Sequence, residues 1–132
     1  ELRKDSGGAG EHRGGLGIVR EYEILDGEIK LTHRGERHHC AAQGCHGGLE
    51  GTKSVSNIRR MSGGEEIIPS KLVTELKKHD RLIIETAGGG GYGPPECRPR
   101  ESIQADILDG KISEQAAVDL YGYVPAPRKI GE

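Results

Sequence analysis

The chain has 132 residues, of which 33% are apolar, 22 are glycine and none is Trp or Phe. Its 19 basic and 21 acidic residues give a formal charge of -2 without a long block of either sign, which removes the electrostatic basis for binding a nucleic-acid duplex or an anionic membrane. Glycine far above a usual content of about 7% leaves few side chains to bury, so the core is expected to be thin and completed by a partner surface, a metal, or both.

No apolar run approaches the roughly 20 residues of a transmembrane helix and no signal peptide is visible, so the expectation is a cytoplasmic protein without membrane contact. The segments Ser6-Gly7-Gly8-Ala9-Gly10 and Arg13-Gly14-Gly15-Leu16-Gly17 are too glycine-dense for helix. From Leu16 to Leu25 the pattern alternates, Asp26-Gly27 marks a turn, and residues 28–32 alternate again, which predicts a β-hairpin. Residues 47–66 carry one weak extended candidate, Lys53 to Ile58. A second hairpin is predicted from Lys71–Leu76, the turn residues 77–80 and Arg81–Thr86.

After the glycine run 88–91 the period changes to helix. Pro99 is suited to open one helix, with Ile103 and Ile107 on one face and Gly110 beyond its end. Ser113 is suited to cap a second, with Ala116, Ala117 and Leu120 at helical spacing and Gly122 as its stop. The predicted class is therefore α+β: mainly β, with antiparallel hairpins joined by Gly-rich loops, short C-terminal helices, and stabilisation by a metal and partner subunits. Residues 1–124 read as one domain and residues 125–132 as an extended tail. No internal repeat is visible.

The three cysteines stand among histidines: His38-His39-Cys40, Cys45-His46, and a distant Cys97. Thiolates and imidazoles in such proximity suit a tetrahedral structural zinc, with Gly44 giving the backbone freedom to fold Cys40 and Cys45 onto one ion. The predicted ligands are Cys40, Cys45, Cys97 and His46, with His39 as the substitute for His46. Separate buried or reactive thiols are the alternative. An odd cysteine count with no secretory segment argues against a disulfide framework.

Other candidates carry less chemistry. The run Gly88-Gly89-Gly90-Gly91-Tyr92-Gly93 follows a strand, yet no Gly-Lys-Ser/Thr follows it and no βαβ unit flanks it, so close chain crossing is a better reading than phosphate binding. Arg13 is a candidate carboxylate or phosphate clamp. Asp5, Glu11 and His12 lie close in sequence but also suit a solvated turn, and His79 reads as surface decoration. Tyr92, Tyr121 and Tyr123 read as anchors. No nucleophile, base and orienting group can be assembled, so no catalytic or cofactor-binding residue is assigned.

The stretches Asp5–Gly10, Arg13–Tyr22, Pro69–Lys71, Glu85–Gly93 and Asp109–Gly122 together resemble the C-terminal end of the hydantoinase B/5-oxoprolinase family. Their order runs over nearly the whole chain. The pattern departs at all three cysteines, which stand where that family carries apolar, Pro-rich or acidic residues. The resemblance implies a small, noncatalytic structural subunit, most like that of an ATP-dependent acetophenone carboxylase acting on an aromatic ketone. It also implies hydantoinase-A-like and hydantoinase-B-like large subunits in a hetero-oligomer, with ATP and a divalent cation held in those partners. A small subunit of an ATP-dependent hydantoinase or 5-oxoprolinase is the alternative within the family. A free zinc-bearing interaction module is the alternative outside it.

Overall fold

The computed structural model describes residues 1–127. Residues 128–132, within the predicted tail, lie outside the described residues. The strands are β1 Val19–Glu23, β2 Glu28–Arg34, β3 Val55–Arg59, β4 Glu65–Ile67, β5 Lys71–Lys77 and β6 Arg81–Glu85, followed by a single 3-10 turn, Pro95–Cys97, and the helices α1 Arg100–Leu108 and α2 Glu114–Tyr121. The class is α+β as expected, with mostly strand and two short C-terminal helices.

The predicted hairpins are not formed. β1 pairs antiparallel with β6 and β2 with β5, so each sequence-adjacent pair is divided between a four-stranded sheet, β1-β6-β3-β4, and a two-stranded ribbon, β2-β5. The two long arms run alongside each other through the bend, where Ile24 donates to Asp80 O at 3.0 Å and accepts from His79 N–H at 2.7 Å. Residues 24–27 there oppose residues 78–80, so Asp26-Gly27 supplies the extra residue of a bulge instead of a hairpin turn. The physical reason is burial. An isolated hairpin has nothing to cover its apolar face, whereas splitting both pairs brings Leu76 of the ribbon against Ile58 and Leu82 of the sheet, with Ile68, Ile24, Leu31, Leu72 and Ile84 around them.

Strand β4 escaped the sequence reading because Glu65, Glu66 and Ile67 are all exposed and show no alternation of burial. The helices fall where their caps place them. Pro99 precedes α1, the Ser113 hydroxyl accepts from Ala116 N–H at 3.0 Å, and Gly122 closes α2 with φ 64°. On α2 the buried pair is Ala117 and Tyr121, while Leu120 is 46% exposed. Together with Ala9, Ile103 and Ile112 the buried pair forms a second small core.

Between the two cores lies a bundle of glycine-rich extended segments. Thr86, Gly89 and Tyr92 donate their amide hydrogens to the carbonyls of Ile18, Gly15 and His12, whereas Gly88 and Gly91 donate to those of Thr52 and Leu49. The same three-residue step recurs where Thr52 and Leu49 donate to Ser6 and Ala9. A threefold repeat with bonds leaving in several directions is the geometry of an extended left-handed helix, not the twofold alternation of a strand. Neighbouring backbones approach so closely that a Cβ at Gly14 would strike Gly89, and one at Gly91 would strike Ala9. Neither glycine has positive φ, so absence of a side chain is what the position demands.

Gly14→Ala is accordingly expected to destabilise the protein by about 3 kcal/mol or more, because only backbone stands where the methyl would go. Gly15, with nothing within 4 Å of its Cβ position, should accept Ala with a change of less than about 1 kcal/mol. Equilibrium denaturant unfolding of the two variants makes the comparison, and equal effects would contradict the close-approach account.

Candidate functional site

The cysteine and histidine residues singled out by sequence divide between two places. Cys45 sits at one end of the glycine bundle, donating from its amide to Gly91 O at 2.9 Å and accepting from Gly93 N–H at 3.0 Å. His46 follows in the left-handed region at φ 49°, and its ring stands 4.9 Å from that of Tyr92, which also has the His12 ring at 6.1 Å. Gly47 lies against Pro94, one residue before the turn that carries Cys97. Cys40 instead lines an open cleft of about 520 Å³ with His38, His39 and Lys71.

All three cysteines are free and exposed. Among the described residues no group of three or more His, Cys, Asp or Glu side chains is placed to hold a metal ion, so the four-ligand set Cys40, Cys45, His46 and Cys97 is not assembled. The reason is that the segment 38–46 is pinned by backbone bonding to the glycine bundle at Cys45 and by the His38 contacts at its start, leaving Cys40 beside another cleft.

Those contacts involve a second histidine. The His38 ring meets Ser56 Oγ at 3.2 Å and Glu36 O at 3.1 Å, and packs edge-on against His33 at 5.6 Å. His33 is buried, its Nε2 has no hydrogen-bond partner, and burial followed by the neighbouring His38 charge lowers its pKa.

The remaining sequence candidates have structural partners. Asp5 accepts from the Ser113 amide at 2.7 Å, and His12 exchanges backbone hydrogen bonds with Tyr92 at 2.9 Å. His79 is a working turn residue: it adopts φ 67° and places Nδ1 3.5 Å from Glu23. Tyr121 is the buried anchor, its hydroxyl pKa raised by burial; Tyr123 packs under Arg100 at 4.7 Å, and Tyr92 is half exposed.

Arg13 does act as a carboxylate clamp. Its Nε and Nη2 donate to Asp106 at 3.0 and 3.3 Å, and Arg98 Nη2 donates to the same carboxylate at 2.8 Å. Arg98 also reaches Glu11 O at 2.9 Å, so one buried carboxylate ties helix α1 to the first glycine segments. Sequence reading missed Asp106, although its signal was present: an acidic residue three positions after buried Ile103 lies on the inward face of the helix. Burial works to raise the Asp106 pKa, but the hydrogen bonds and charges of Arg13 and Arg98 outweigh it and hold the carboxyl below its ordinary value.

This geometry can brace chain segments and present an imidazole-rich rim; among the described residues it shows no nucleophile paired with a base and an orienting group. The family model described as Hydantoinase B/oxoprolinase matches residues 1–95, and the chain belongs to this family. The beta chain of the caprolactamase of Pseudomonas jessenii is 38% identical over 93% of this chain and 22% of its own length. A putative D-/L-hydantoinase component of Pseudomonas sp. (strain NS671) is 35% identical over 92% of the chain and 21% of its own. The chain thus spans about a fifth of the length of these curated relatives.

The crystal structure of the ATP-dependent caprolactamase from Pseudomonas jessenii matches all of this chain and 23% of its own with a TM-score of 0.80 at 30% identity. An acetone carboxylase structure, nucleotide-free, shares the fold with a TM-score of 0.79 over 94% of this chain and 21% of its own at 19% identity. Among the described residues no helix is long and apolar enough to cross a membrane.

Asp106→Asn should cost about 3 kcal/mol or more, since it leaves two nearly buried guanidinium groups without their carboxylate. Because the folded pKa is depressed, the Asp106 contribution is fully present above the unfolded value of about 3.9 and is lost as pH falls through the folded value. Asp80, lowered chiefly by backbone N–H donors from Lys77 and Met61, titrates in the same direction. Stability measured from about pH 6 to 2 should therefore show an acid limb that is shallower in Asp106→Asn; an unchanged limb would refute the clasp.

Proposed function

We propose that this chain is a noncatalytic scaffold segment of an ATP-dependent enzyme that opens cyclic amides, working with hydantoinase-A-like and hydantoinase-B-like larger subunits in a hetero-oligomer. The observation that carries this reading is the likeness to the caprolactamase beta chain along nearly the whole sequence. The hydantoinase relative supports the same substrate class, since caprolactam, hydantoin and 5-oxoproline share a ring amide. Carboxylation of an aromatic ketone such as acetophenone is the second reading. It draws on the acetone carboxylase likeness, a resemblance of fold, and so has weaker support than amide opening.

On this reading ATP and its divalent cation bind in the larger subunits. The glycine bundle supplies a rigid brace, and its hydrogen bonds are satisfied between segments, leaving no phosphate cradle of the Gly-Lys-Ser/Thr kind. Zinc enters the proposal only in the assembled complex, where a partner would have to draw Cys40, Cys45, His46 and Cys97 together. Elemental analysis of the native complex beside Cys97→Ser tests that point: metal retained in the variant, or absent from the complex, removes zinc from the account. The free zinc-bearing module has no support from the described residues.

The deciding experiment is reconstitution. The chain alone should neither hydrolyse ATP nor turn over any substrate, and addition of the larger subunits should restore ATP-dependent activity. Caprolactam, hydantoin, 5-oxoproline and acetophenone are compared side by side. Turnover confined to the ketone would replace the cyclic-amide reading, and ATP hydrolysis by the isolated chain would overturn the scaffold role.

A further inference from the structure

The outward face of the β2/β5 ribbon carries its charges in cross-strand pairs. Glu28 stands opposite Lys77 and Lys30 opposite Glu75, each a match of opposite sign. Thr32 and Val73 are the next pair on that face, and then Arg34 stands opposite Lys71. Like charges directly opposite each other on a sheet are destabilising, so the last pair breaks the scheme that the first two establish.

Nothing among the described residues relieves it. Among the described residues neither Arg34 nor Lys71 has an ion pair, and Arg37, close by in the loop, has none either. Lys71 and Arg37 line the 520 Å³ cleft together with His39, Ser70 and a single carboxylate, Glu36. Arg34 and Lys71 also line an adjoining depression of about 340 Å³. The side chains of His39, Ser70 and Lys71 in the cleft, and of Arg34 in the adjoining depression, make no hydrogen bond within the described residues, so four donor groups stand unengaged around two openings that share Lys71.

From this arrangement we infer that the surface where the cleft and the adjoining depression meet, between Arg34 and Lys71, binds a doubly charged oxyanion. A guanidinium offers two parallel N–H donors to such a group, and the ammonium on the opposite strand supplies a point charge. An anion held across the strands turns the unfavourable Arg34 and Lys71 pair into two favourable ones. Inorganic phosphate and succinate are the two probes, since phosphate and dicarboxylate ligands share this charge and differ in geometry.

Each probe is titrated calorimetrically into the purified protein, with any partners that copurify, at ionic strength held constant with sodium chloride. Saturable binding of either is expected, and the one preferred identifies the source. Arg34→Gln and Lys71→Gln should weaken it about tenfold or more. Each should also raise the melting temperature of the anion-free protein, because it removes the like-charge opposition. Lys30→Gln, taken from a matched pair, should leave binding unchanged. His39→Gln, on an exposed loop, should weaken binding without touching the ribbon and serves if the ribbon variants fold poorly. No binding above the chloride background, or wild-type affinity in both Arg34→Gln and Lys71→Gln, would overturn the assignment.

Discussion

Contact between backbones in the glycine bundle governs the rest of this structure. Segments near 6–10, 12–18, 43–52 and 86–93 lie so close that a neighbouring carbonyl occupies the place of a missing Cβ at position after position. Hydrogen bonds between the segments satisfy the buried amides, which is what permits loops to run through the middle of the molecule. The strands and helices are extensions of this bundle: β1 continues the 12–18 segment, β6 runs into 86–93, and the helices follow from its far end.

Two buried carboxylates join the outer parts to that centre and to each other. Asp80 accepts from the amides of Met61 and Lys77 and from Arg60, fixing the bend at which the two arms change sheets. Asp106, held by Arg13 and Arg98, fixes the helices against the bundle. Each is fully charged only because donors surround it, so each links local turn geometry to overall stability. This substitutes in part for a large apolar core: the two cores are small and separate, and several large apolar side chains, including Leu25, Ile67 and Leu108, remain exposed.

On the reading proposed above, such a molecule is a brace within a larger assembly. On that reading, the exposed apolar side chains are the surface that larger subunits would cover. The two carboxylates of lowered pKa, Asp80 and Asp106, are engaged in holding turns and helices in place. The imidazole-rich rim around Tyr92 and the basic cleft by Lys71 are the places where this chain presents chemistry outward.

Local chemistry in the sequence determined the helix limits, through Pro99, Ser113 and Gly122, and the approximate positions of five of the six strands among the described residues, the first two through alternation. Its family pattern and the close-packing role of the glycine run were also legible, because glycine at that density has few other uses. Partner choice was not: whether residues 19–23 pair with 28–34 or with 81–85 depends on where their apolar faces find cover, a property of both sheets together. The cysteines and histidines raised an expectation of one centre because residue type and spacing carry no three-dimensional direction. Tertiary structure set Cys40 beside one cleft and Cys45 at the end of the bundle, and it alone brought Asp106 to Arg13 across 93 positions of sequence, since a buried charge is positioned by whatever donors the folded chain delivers to it.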